Sequence, residues 1–308
     1  MTEPVTLNAF KAAARILDLL RATNRLTLPI DLDVVREMLP GTPLGKEVVV
    51  IKPPMDAPWE GCEGALVRNP DDEREWGIFV KPKVRPERKR FTVAHEIGHF
   101  VLHRHQRPSF NCDKESVHAG IDTLKEIERE ADDFASNLLM PGDMLRDRIA
   151  GKRIDFHLLG ALAKEFGVSL ESMCIRLVKY TEQRAVLVYW DHGFLKYQWP
   201  SGNARKTRVR LRQTGEPQEP LPGTLAADDD VTQEWDGVDM LAKTWCSSEA
   251  DDIKLRELKH SYPDGNRVLS LLMLESAPPR TYFRSGWEDE KSHDTFDRFI
   301  DNGQMPTR

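Results

Sequence analysis

Two histidines four residues apart, His95 and His99, flank a glutamate, Glu96, in the run His95-Glu96-Ile97-Gly98-His99. On a helix such positions differ by about 40° around the axis and stand about 6 Å apart along it, so both imidazoles can reach one metal ion. Glu96 lies one step round the helix, where a carboxylate can take a proton from metal-activated water and pass it to a leaving amine. The neighbours Phe91, Val93, Ala94, Ile97, Phe100 and Val101 are apolar, which predicts that the helix carrying these polar groups is buried.

A catalytic zinc ion takes three protein ligands and keeps one position open. His103 continues the series but lies about 12 Å from His95 along an unbroken helix, which suits it to supporting a ligand or to a surface position rather than to sharing the ion. A second helical stretch, residues 122–141, places Glu128, Asp132 and Ala135 on one face and Ile127, Phe134 and Leu138 on an apolar stripe. This face offers a ligand carboxylate in Glu128 and an orienting carboxylate in Asp132. Glu130 is the alternative third ligand.

The run Arg88-Lys-Arg-Phe-Thr-Val-Ala-His-Glu-Ile-Gly-His-Phe-Val-Leu-His103, followed by Glu128-Arg-Glu-Ala-Asp-Asp-Phe-Ala-Ser-Asn-Leu-Leu-Met-Pro141, resembles the ImmA/IrrE family of zinc metallopeptidases. Leu28–Val35, Gly64–Val67 and Leu162–Leu170 extend the resemblance over roughly the first 180 residues. It implies zinc held by His95, His99 and Glu128, with Glu96 catalytic. It also implies a narrow protein substrate, typically a helix-turn-helix repressor or antitoxin whose cleavage releases a stress, phage or mobile-element response. Asp132 stands where many relatives carry asparagine.

The fold these features imply is α+β. Residues 1–182 form a zincin-like, gluzincin-type metallopeptidase domain with helix-turn-helix-like helices over 158–180. Residues 183–308 form a smaller β-rich α+β domain for sensing or docking. The 308-residue length fits two cores. The net charge of -6 argues against general affinity for nucleic-acid backbones. The four cysteines, Cys62, Cys112, Cys174 and Cys246, form no C-x-x-C pair and read as structural thiols of a reducing compartment. With no signal-like segment and no long apolar run, the expected location is cytoplasmic, away from membranes.

Along the chain, residues 7–22 predict an amphipathic helix with Phe10, Ala13, Ala14, Leu17 and Leu20 inward, and Asp31 caps a short helix. Glu47–Lys52 reads as a strand, Pro53–Gly64 as a loop, and Gly64–Arg68 with Trp76–Lys81 as a hairpin. In zincins an edge strand beside the metal helix can pair with an extended substrate, and Trp76, Gly77, Ile78 and Phe79 are the candidates here; an ordinary sheet strand is the alternative. Lys81–Arg90 holds six basic residues in ten, either a solvated face or a rim attracting acidic segments.

Ala163, Gly167, Ser169, Met173 and Leu177 have helix-turn-helix spacing, but Glu165 and Glu171 disfavour direct nucleic-acid binding, and packing or docking fits better. Thr207–Gln213 reads as a strand with a basic face, Trp235–Glu257 as mixed helix and loop, and Arg267–Glu275 as an apolar strand. Two other functions fit less well: a protein that sequesters a regulator without cutting it, and a DNA-binding regulator.

Overall fold

The computed structural model describes residues 7–59, 61–113 and 122–278. The chain is mixed α+β and divides into two compact units, Met1–Asp147 with Ala163–Ser169, and Arg148–Leu162 with Leu170–Phe299. Among the described residues, no helix is long and apolar enough to cross a membrane. The charged tail beyond Pro279 lies outside the described residues.

In the first unit, helix α1 (Ala9–Ala22) starts where the Asn8 side chain accepts a hydrogen bond from the Lys11 amide. Its Ala9, Ala12, Ala13, Ile16, Leu17 and Leu20 are buried. Phe10, expected on that stripe, points outward and is 60% exposed, because the inward arc is centred one residue further round. Helix α2 (Leu32–Met38) is capped by Asp31, as its sequence predicts, and its buried Arg36 donates to the Ile51 carbonyl.

The sheet of this unit has the order β1 (Val50–Asp56), β3 (Glu75–Val80), β2 (Cys62–Arg68), β4 (Ser109–Asp113). β1 runs parallel to β3, while β2 pairs antiparallel with both β3 and β4. The hairpin expected from residues 64–81 is formed. The loop expected over 53–64 is shorter than its prolines suggested. β1 continues through Pro53 and Pro54, which an edge strand tolerates because one side of its backbone needs no partner.

Helix α3 (Pro86–His103) begins with Pro86 at its first position and is buried from Thr92 to Val101. Arg90, from the basic run, is tied down by the Ile30 and Gly167 carbonyls, and Lys81 and Arg88 both pair with Glu63. Helix α4 (Asp122–Leu139) packs along α3 and α1, burying Ala131, Phe134, Ala135 and Leu138. A Cβ added to Gly98 would stand 3.2 Å from the Cα and carbonyl oxygen of Ala131, so the glycine is what lets the two backbones approach. Helix α5 (Gly142–Ile149) follows, and its Asp143 pairs with Arg21 at 2.6 Å.

Helix α6 (Phe156–Phe166) ends at Gly167, whose φ of +66° reverses the chain into α7 (Leu170–Tyr180). In the second unit, α7 packs on a five-stranded antiparallel sheet of order β6 (Phe194–Pro200), β5 (Arg184–Asp191), β9 (Arg267–Leu274), β8 (Lys254–Ser261), β7 (Gln233–Leu241). Met173, Cys174, Leu177 and Val178 of α7 are buried, and Glu171 accepts the Tyr197 hydroxyl at 2.5 Å. Trp190, Trp245, Val188 and Leu272 centre the core on one sheet face.

Two expectations fail in this unit. Thr207–Gln213 is not a strand: helix α8 (Gly202–Lys206) ends at Thr207, Arg208 takes φ +55°, and only Leu211 bridges to Cys246. Lys206, Arg208, Arg210 and Arg212 therefore form no basic strand face. Trp235–Glu257, expected as helix and loop, contributes β7 and the first half of β8. β7 is a largely exposed edge strand with an irregularity between Glu234 and Val238, which erases any alternation in its sequence.

Candidate metal centre

Helix α3 brings the first two predicted ligands together. Nε2 of His95 and Nε2 of His99 are 3.0 Å apart. Glu128, reaching across from α4, places Oε2 3.2 Å from the His95 nitrogen and Oε1 3.4 Å from that of His99. One donor atom from each residue lies within 4.8 Å of the other two. Glu130, the alternative ligand, is absent from this group and instead sits 2.9 Å from Nε2 of His103.

The outer ring nitrogens are also held. Nδ1 of His95 is 2.8 Å from Oδ1 of Asp132, the contact expected of an orienting carboxylate. Nδ1 of His99 is 3.2 Å from Nδ1 of His103, which is only 1% exposed. Phe110 on β4 stacks on the His99 ring at 4.8 Å and 13°. Sequence periodicity carried no signal for that stacking, because β4 is a five-residue strand and the turn after α3 that folds it back onto the helix has no period.

Electrostatics favour cation binding. Burial pushes the His99 pKa down to about 4, against the opposing pull of Glu128, so the imidazole is neutral near pH 7. Burial also lowers His103. For Glu128, burial acts to raise the pKa, but hydrogen bonding with His95 and His99 outweighs it and holds the carboxyl well below the usual range. At most one proton can lie between two nitrogens 3.0 Å apart, whereas a divalent cation satisfies both nitrogens and the carboxylate. The donor set therefore fits such an ion.

Glu96 is fully buried on the same helix and lies against β2. A Cβ on Gly64 would stand 2.5 Å from Glu96 Oε1, so the strand can pass the carboxylate only because residue 64 has no side chain. Sequence reading placed Gly64 at a strand start and missed this contact.

Trp76, Gly77, Ile78 and Phe79 do not form the expected substrate edge. They belong to β3, an interior strand whose backbone is already paired with β1 and β2. Trp76 and Ile78 are buried, with Trp76 edge-on to Phe100 at 5.9 Å, while Phe79 packs against Trp59. The edges of this sheet among the described residues are β1 and β4.

Residues 59–178 match the family described as the IrrE N-terminal-like domain, peptidase M78. The chain is 28% identical over 133 residues to the radiation response metalloprotease IrrE of Deinococcus deserti, across 43% of this chain and 47% of that protein. It thus spans about half the length of that curated relative. Among solved structures, a Mycobacterium tuberculosis transcriptional regulator aligns with 85% of this chain and 74% of its own, with a TM-score of 0.49 and 15% identity.

Proposed function

We propose that this chain, whose residues 59–178 match the IrrE N-terminal-like domain, is a zinc-dependent, site-specific endopeptidase of the ImmA/IrrE kind. The observation supporting this most directly is the three-donor cluster of His95, His99 and Glu128 beside a buried Glu96. The two histidines and Glu128 would hold the ion, which when bound supplies Lewis-acid activation of water and of a peptide carbonyl. Glu96 takes the proton from the attacking water and returns it to the departing nitrogen, so that a neutral amine leaves. Asp132 holds His95 in the tautomer that presents Nε2 inward.

β4 replaces β3 as the strand offered to an extended substrate segment, since among the described residues it is an edge, and it carries Phe110 against His99. The exposed Lys83, Arg85 and Lys89 would draw acidic segments toward the start of α3. The substrate is a helix-turn-helix repressor or antitoxin in the cytoplasm, and its cleavage switches on a stress or mobile-element response. The unit of residues up to 147 with 163–169 is the catalytic portion in this reading, and the second unit, which takes 148–162 and α7 along with the residues beyond 182, senses or docks.

The test compares proteins that co-purify from the native host with the wild type and with Glu96→Gln, which keeps the metal ligands but removes the base. A regulator captured intact by the variant and fragmented in cells carrying the wild type supports proteolysis. The same intact partner on both proteins would overturn it in favour of sequestration.

A further inference from the structure

Behind the ligand face of His99 runs a chain of three polar groups on two helices. His99 Nδ1 lies 3.2 Å from His103 Nδ1, and His103 Nε2 lies 2.9 Å from Glu130 Oε2. Each link restricts the next. An ionised carboxylate only accepts, so His103 must carry its proton on Nε2 to bond Glu130. A neutral imidazole with its proton on Nε2 has a lone pair on Nδ1. That lone pair accepts only from a protonated Nδ1 of His99, and a His99 protonated there presents a bare Nε2 to the ion. The other tautomer of His103 would set two N–H groups against each other or force a proton onto the coordinating nitrogen.

We infer that Glu130 is a positioning residue that acts through His103 to fix the tautomer and ring orientation of His99, so that its Nε2 lone pair meets a divalent cation. This rests on the metal-centre reading above but adds a carboxylate and a histidine that do not touch the ion. It also gives α4 a division of labour, with Glu128 as ligand, Asp132 orienting His95, and Glu130 orienting His99 at one remove. Stacking on Phe110 holds the ring plane but cannot choose which nitrogen bears the proton.

The experiment measures zinc dissociation constants of the full chain by competition with a chromophoric chelator. Glu130→Ala should weaken zinc binding about 10-fold or more, in the range typical of lost outer partners of ligand histidines. Glu130→Gln, whose amide oxygen can still accept, should retain most of the affinity. His103→Leu should weaken binding at least as much as Glu130→Ala, His103→Gln should recover part of it, and Glu130→Ala should add nothing in the His103→Leu background. The Glu130 side chain is 40% exposed, so Glu130→Ala should leave the metal-free chain folded, with a cooperative thermal transition. Should His103→Leu fail to fold, nitrogen-15 histidine spectra of the zinc-loaded wild type decide instead. They should show His99 protonated at Nδ1 and His103 at Nε2, with both assignments lost in Glu130→Ala. Wild-type affinity in Glu130→Ala, or its full effect in both backgrounds, would overturn the inference. A wild type that binds no zinc would overturn it together with the metal centre. A zinc-loaded wild type that cuts no protein would sink the peptidase reading and leave this one standing.

Discussion

A methyl group at residue 64 would stand 2.5 Å from Oε1 of Glu96 and 2.4 Å from Cγ2 of Thr92. β2 cannot retreat, because β3 and β4 pair with it on both sides. Gly64→Ala is therefore expected to displace the Glu96 carboxylate, and a misplacement of about 1 Å can cost about 100-fold in rate. Turnover of a substrate peptide should fall by that order, while metal content, measured by elemental analysis, stays at the wild-type level. Full activity in this variant would show that the strand does not set the position of Glu96. The pairing of His95 with His99 was legible in sequence, because both are fixed by the period of one helix. Glu130 was not, since which carboxylate of α4 faces which histidine depends on how the two helices are rotated against each other.

Elements with a strong period were read well: α1 and α4 bury one continuous face and advertise it, while α3 and β9 are buried on every side along most of their length. β7 and the stretch after α8 were misread for opposite reasons. β7 is a polar edge strand interrupted at Gly237 (φ +86°), so no alternation survives. Residues 206–212 alternate basic and uncharged side chains, yet Thr207 is held in a turn where its hydroxyl accepts from buried Arg184, and the period has no sheet to serve. β8 is anchored by a group that no period reveals. Its fully buried Glu257 accepts the amides of Leu225 and Ala226 at 2.9 and 2.8 Å and the Trp245 indole N–H at 2.8 Å. Glu257→Ala strands three buried donors and should cost about 3 kcal/mol or more in chemical denaturation. A loss under about 1 kcal/mol would mean that water takes over those bonds.

At the scale of the molecule, the donor cluster of His95, His99 and Glu128 lies wholly within one of the two compact units. If zinc is bound as proposed, free zinc at about 100 times its dissociation constant would favour the native state by about 2.7 kcal/mol, and that gain would belong to the unit that holds the ion. Chelation should accordingly raise amide hydrogen exchange in α3 and α4 by up to about 100-fold and leave β5, β8 and β9 unchanged. A uniform rise across both units, read by mass spectrometry, would contradict that assignment. Gly98 and Ala131 bring the main chains of α3 and α4 together, so a single added methyl at residue 98 would reach across to the neighbouring backbone and alter the spacing at which the histidines of one helix face Glu128 of the other.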